Sequence, residues 1–270
     1  MTTTIRPDIR AITQPTPKSG KHVQDQSEFA FHSSSVPRAI LKPANALLAL
    51  LPENEYQQLA WGLEPVRFRK EQIVYEVGEV MRDAIFVNSG IASVQSISDR
   101  GPSVEVATIN NRGFIGVALI FGVDKACYRV KAETRIDAVK IDKSVLREVC
   151  HRSEKLQPLL LQYADLLETQ IIQAVICRAA HDLKQRVARW LLYMSDSLEV
   201  YSLNVTYEQL SRALGKPRKS VGVVSEELER EKLIECGRAN ISIIERKGLE
   251  CVACECYQIV KEKSDLVGKD

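Results

Sequence analysis

The chain is poor in the features that would tie it to a membrane, a secreted scaffold or bulk polyanions. Its longest apolar stretch, Phe114 to Val123, is about half of what a bilayer requires and is broken by Gly116 and Gly122, so no membrane span is expected. Net charge is only +2, from 37 lysines and arginines against 35 acids. That balance excludes a general polyanion binder, and any basic patch has to act locally. No secretion leader opens the chain and its 7 cysteines are odd in number. We therefore expect reduced thiols in a cytoplasmic protein. Histidine is scarce, with 4 residues. His181 and Asp182 are adjacent on a helical pattern, so their side chains diverge. No nucleophile–base constellation remains, and an enzyme is not expected.

What is present is concentrated between Thr206 and Ile234. Thr206 with Gln209 forms a capping-box signature. Leu210, Ala213 and Leu214 then share one helical face until Gly215, which suits the left-handed stop of a helix. Pro217 presets the start of a second helix, whose stripe is Val221, Val224 and Leu228. Arg212, Lys216, Arg218 and Lys219 crowd the pivot with no acid between Ser211 and Ser220, while Glu226, Glu227, Glu229 and Glu231 lie towards the far end. A phosphate backbone is attracted to the N-terminus of this second helix and repelled at its C-terminus. The plainer alternative is a helical hairpin with a solvated basic corner. Beyond Ile234, the run Glu235 to Asn240 followed by Ile241, Ser242, Ile243 and Ile244 predicts a β-hairpin with a basic tip at Arg238.

This stretch resembles the winged helix-turn-helix of the CRP/FNR family of bacterial transcription regulators, aligning without a gap from Thr206 to Ile234. The resemblance implies that the residues reading base edges match Arg218, Lys219 and Val223, of which only Arg218 keeps its type. An arginine pairs with O6 and N7 of guanine, and a valine suits a thymine methyl. The expected DNA-facing set is Thr206, Arg212, Lys216, Arg218, Lys219, Ser220, Val223 and Arg238, with double-stranded DNA as partner. RNA polymerase and an unidentified small-molecule effector are further partners that the resemblance implies.

The rest of the chain fits the same plan. Residues 1–43, rich in Thr, Pro, Ser and Gln, are expected to be a flexible tail. From Asn45 short helices introduce residues 44–149, where Gly78, Gly90, Gly101, Gly113 and Gly122 recur about every ten residues between β-type segments such as Ile85–Val87 and Ala138–Ile141. This resembles the family's jelly-roll-like cyclic-nucleotide-binding domain. Residues 150–180 carry a long helical pattern. Leu156, Leu159, Tyr163 and Leu166, at alternating three- and four-residue steps, predict the seam of a homodimer. Residues 181–256 form the DNA-binding domain and 257–270 a second tail. The fold class expected is α+β in two domains: an N-terminal β-roll or jelly-roll sensor, a long dimerisation helix and a C-terminal winged helix-turn-helix.

Departures from the family narrow the sensing chemistry. Members that bind cyclic AMP carry Gly-Glu, then an Arg and a Ser or Thr about ten residues on. Here Gly116 precedes Val117, and the later pair aligns with Ala126 and Cys127, with Arg129 close enough that only a one-turn misalignment would restore the cation. A cyclic phosphate buried without a cation costs several kcal/mol, so cyclic AMP is not the expected effector of this degenerate pocket. Oxygen-sensing members hold an iron–sulfur cluster through N-terminal cysteines, whereas the first cysteine here is Cys127. His22, His32 and His151 make no haem-ligand pair. Cys251, Cys254 and Cys256 form a CxxCxC run with no fourth ligand in view, which we read as apolar packing under the wing. No cofactor and no metal are expected. The function expected is a homodimeric regulator of an inverted-repeat operator; the alternative is a cyclic-nucleotide- or redox-responsive signalling module.

Overall fold

The computed structural model describes residues 43–97 and 103–269. The predicted tail 1–43, apart from Pro43, and Gly101 of the glycine rhythm lie outside them. No helix among the described residues is long and apolar enough to cross a membrane.

A 3-10 turn at Leu48–Leu50 and helix α1 (Glu53–Ala60) lead into eight strands: β1 (Glu64–Phe68), β2 (Ile73–Tyr75), β3 (Asp83–Ser89), β4 (Ala92–Ser96), β5 (Val104–Ile109), β6 (Phe114–Ile115), β7 (Arg129–Ala132) and β8 (Ile136–Asp142). They form two antiparallel sheets, ordered β1-β8-β3-β6 and β2-β7-β4-β5. Apart from β4 and β5, which pair directly, chain neighbours are not sheet neighbours, as in a roll of two facing sheets. Between the sheets lie Phe86, Phe114, Val94, Ile109, Val130 and Ile136, all essentially without solvent contact. Phe86 and Phe114 stack with centroids 5.2 Å apart. Asn45 pins the entry to this core: its amide donates to the carbonyls of Val87 (2.7 Å) and Gly113 (2.9 Å), and its oxygen accepts from the Leu48 amide (3.0 Å). Every buried polar atom of that side chain is thereby satisfied. The apolar run after β6 is not strand. Val117–Phe121 is a 3-10 turn, flanked by Gly116 (φ 99°) and Gly122 (φ 81°), both in the left-handed region that a β-carbon disfavours.

Helices α2 (Lys143–Arg152) and α3 (Leu156–Ala180) follow. Leu156, Leu159, Tyr163 and Leu166 are all buried, packed with the roll's own core. Tyr163 lies 5.2 Å, centroid to centroid, from Phe114, and a β-carbon on Gly113 would stand 2.1 Å from the Tyr163 hydroxyl oxygen. The predicted dimer seam is therefore corrected: this face is covered by its own chain. The three- and four-residue steps recur on both sides of a helix apolar all round, so spacing alone did not choose the side. The uncovered apolar residues of α3 are Leu161, Ile172, Val175 and Ile176, with Val175 62% exposed.

The C-terminal part comprises α4 (Leu183–Leu198), β9 (Ser202–Leu203), α5 (Tyr207–Leu214), α6 (Arg218–Arg230), β10 (Ile234–Cys236), β11 (Ile241–Ile243), α7 (Arg246–Val252) and α8 (Cys256–Leu266). Its core joins Val187, Leu191 and Leu192 of α4 to Leu210, Leu214, Val221, Leu228, Ile234, Ile241 and Leu249. At roughly 25 cal/mol per Å² of apolar surface, each such leucine or valine stabilises the fold by about 1.5–3 kcal/mol. The predicted tail 257–270 is the second correction, because residues through Leu266 are helical. Cys256, Tyr257 and Val260 form a short buried face that the charged sequence after it conceals. The Tyr257 hydroxyl donates to Asp196 (2.7 Å), and Arg246 donates to both Asp196 and the Tyr257 oxygen (2.7 Å each).

Candidate nucleic-acid interface

Thr206 begins α5 in a reciprocal capping box with Gln209: the Gln209 amide donates to the Thr206 hydroxyl (3.2 Å), and the Thr206 amide donates to the Gln209 side chain (3.0 Å). Two of the helix's orphan donors are thus satisfied. The Thr206 hydroxyl is committed to this cap. Gly215 ends α5 at φ 61°, and buried Arg186 of α4 closes the same end by donating to the Leu214 carbonyl (2.5 Å). Pro217 occupies the N-cap of α6 with φ −56°, so Arg218 is the first helical residue.

The front of α6 is open. Lys216, Arg218, Lys219, Ser220 and Val223 are all exposed, Val223 by 56%. No ionic partner for Lys216, Arg218 or Lys219 occurs among the described residues. The acids at the other end are engaged within the domain. Lys184 of α4 pairs with Glu227 (2.8 Å) and Glu231 (2.6 Å), and Glu229 accepts the Cys236 amide (2.7 Å). Sequence reasoning placed those acids away from the basic pivot but missed their job of fastening α6 to α4 and to β10. Free amides and unpaired cations at one helix end, with acids held at the other, make an anion-binding front. Arg238 is exposed at the β10–β11 turn, which the Gly237 amide closes on the Asn240 carbonyl (2.9 Å). Arg212 is the exception in the predicted set, lying 3.7 Å from Glu71 in the roll.

The degenerate effector positions differ in their surroundings. Val117 and Ala126 are buried in the roll's core, Cys127 is exposed, and Gly116 serves the 3-10 turn. Arg129 is held by Glu76 at 2.7 Å, and that bond lowers the Glu76 carboxyl below its ordinary range. A cleft of about 440 Å³ opens instead between the roll and helices α4 and α5, lined by Glu105, Arg129, Lys131, Trp190 and Arg212 among others. Each cation on its wall already faces a carboxylate: Arg129 with Glu76, Arg212 with Glu71, and Lys131 with Glu71 (3.1 Å) and Glu133 (3.0 Å). Half-buried Glu105 is pushed up to about 7, first by loss of hydration and then by the charge of Glu133.

The cysteine run also behaves differently from expectation. Cys251 is exposed and stands apart, whereas buried Cys254 and Cys256 meet Cys177 from the last turn of α3 and His181 just beyond it. The histidine that the CxxCxC run lacked lies 75 residues before Cys256, a separation that no local motif reports.

Comparison with known proteins agrees with this architecture. Residues 65–153 match the cyclic nucleotide-binding domain and residues 185–252 the Crp-like helix-turn-helix domain. The transcriptional regulator SdrP of Thermus thermophilus is 24% identical over 203 residues, spanning 68% of this chain and 95% of the relative. Among solved structures, FixK2 from Bradyrhizobium japonicum aligns with a TM-score of 0.64 at 15% identity, over 71% of this chain and 98% of that one. A CRP/FNR-family transcriptional regulator from Thermus thermophilus aligns with a TM-score of 0.58 at 24% identity, over 70% and 98%.

Proposed function

We propose, from the premise that this chain belongs to the CRP/FNR family of transcriptional regulators, that it binds an inverted-repeat operator as a homodimer and answers to an effector other than cyclic AMP. The observation that carries the reading is the front of α6, where Lys216, Arg218 and Lys219 are exposed and unpaired at a helix N-terminus. Arg218 reads guanine through O6 and N7, Val223 lies against a thymine methyl, and Lys216, Lys219 and Arg238 hold phosphates. Arg212 joins them once its contact with Glu71 is released.

Two such fronts related by a two-fold axis meet successive major grooves about 34 Å apart. The pairing surface is the uncovered face of α3, with Leu161, Ile172, Val175 and Ile176. Burial of Val117 and Ala126, together with the paired state of every cation on the cleft wall, argues against a site for a cyclic phosphate. Gel retardation on the protein's own promoter region across a salt series tests the DNA reading. Binding should weaken steeply with salt, and Arg218→Ala should lose the sequence preference at the base pair that Arg218 reads. Equal retention of promoter and unrelated DNA defeats it. Calorimetric titration that gives micromolar cyclic AMP binding defeats the effector reading alone.

A further inference from the structure

We propose that Cys177, His181, Cys254 and Cys256 form a mononuclear tetrahedral metal site of the zinc class at the junction of α3 and α4. Their ligand atoms all lie within 4.8 Å of one another. Two edges are 3.6 Å: Cys177 Sγ to Cys254 Sγ, and Cys256 Sγ to His181 Nδ1. Thiolates about 2.3 Å from a zinc ion stand about 3.7 Å apart along the edges of a tetrahedron, so little movement is required. An iron–sulfur cluster spreads its terminal ligands over several irons, and a set this tight leaves it no room. Three soft sulfurs and one imidazole favour zinc over hard cations such as magnesium or calcium.

The surroundings suit the ion. Cys177, Cys254 and Cys256 are buried, and only 9% of the His181 side chain is exposed. The other ring nitrogen of His181, Nε2, lies 3.1 Å from a Glu255 carboxylate oxygen. That contact selects the tautomer with Nδ1 free to bind a metal, the arrangement by which a carboxylate orients a metal-bound histidine. Three thiolates, a neutral imidazole and a divalent ion carry one net negative charge. Arg189 of α4 is near enough to act on the cluster electrostatically, and its buried Nε has no hydrogen-bond partner among the described residues. A hydrophobic reading of the cysteines accounts for neither the histidine with its carboxylate nor this arginine.

The ligands come from three places: Cys177 from the last turn of α3, His181 from the two-residue link between α3 and α4, and Cys254 and Cys256 from the α7–α8 connection and the first residue of α8. A bound ion therefore ties the end of the sensor helix to the far end of the reader. Zinc has no redox chemistry of its own, so the role is to fix this junction.

The test uses the full chain purified without an affinity tag under reducing conditions. Elemental analysis should find about one zinc per chain, lost in Cys254→Ser and in His181→Ala but kept in Cys251→Ser. Because those variants risk misfolding, the wild-type protein is also stripped and titrated with cobalt. One equivalent should give the intense visible bands of tetrahedral thiolate-bound cobalt, with cobalt displaced by zinc. Failure to take up one tetrahedral cobalt, acid-labile sulfide in the metal-loaded protein, or a Cys177–Cys254 disulfide in freshly reduced protein would each overturn the proposal.

Discussion

The ion-paired cations of the roll and those at the front of α6 and on the wing are treated in opposite ways. In the roll, Arg129 meets Glu76, Lys131 meets Glu71 and Glu133, Lys140 lies between Glu64 and Asp83, and Lys143 meets Asp124. At the front of α6 and on the wing, Lys216, Arg218, Lys219 and Arg238 face solvent without an ionic partner among the described residues. A paired cation is already spent on its neighbour, and a ligand anion must first break that pair. An unpaired one at a helix N-terminus has only water to release. The family resemblance spans both regions, yet these roll cations are committed to neighbours while those at the front of α6 are open to a visitor.

The contrast breaks most completely if one reader holds DNA as well as two. Val175→Glu places a charge on the uncovered face of α3. It should yield a monomer by analytical ultracentrifugation and weaken operator binding by about 10²–10⁴-fold through lost avidity. An unchanged dimer would move the pairing surface elsewhere. Next in size, Arg218→Ala should weaken the preferred operator by about 1–3 kcal/mol and flatten the preference at one base pair, as measured by competition retardation.

Thr206→Ala removes the cap of α5 and should cost about 1 kcal/mol of stability, seen as a drop of a few degrees in melting temperature. Retained melting would mean that the capping box adds nothing to the packed helix. Smaller still is the exposed pair in the roll: Glu76→Gln should leave both the melting temperature and DNA affinity essentially unchanged.

A pH test sharpens the same contrast at Glu105, where Glu133, Arg178, Arg189 and Trp190 are the neighbours. Its folded pKa, about 7, lies above the ordinary glutamate value of 4.5, so the folded state holds a proton that the unfolded chain gives up. Stability from this group is full at low pH and declines as pH rises towards 7. Melting of wild type should therefore fall more than that of Glu105→Gln over this window. Parallel profiles would show that Glu105 ionises freely.

The features legible in sequence were those written within a few residues of one another. The Thr206–Gln209 cap, the Gly215 stop and the wing around Arg238 rest on local chemistry, and so do the strands around Ile85 and Ala138. What the sequence hid is set by partners far along the chain. Leu156, Leu159, Tyr163 and Leu166 repeat as a dimer seam would, and only the depth of Gly113 against Tyr163 assigns them to the roll. The C-terminal helix was concealed because its buried face is three residues, Cys256, Tyr257 and Val260, in a charged segment. Pairing of Arg212 with Glu71, and the approach of Cys177 and His181 to Cys254 and Cys256, need the folded backbone before they exist.

Helix α8 has a mechanical consequence. It returns along α3, where the Gly268 amide donates to Gln162 (2.7 Å) and Lys263 pairs with Asp165. The reader is thus joined to α3 at His181 and again near Asp165, about 24 Å apart at 1.5 Å per residue. A body pinned to a rod at two such points cannot tip end over end without tearing one attachment. Any turn of the reader about the rod's own axis strains the same two attachments, so a change at the roll reaches the reader only by shifting α3 and α8 together.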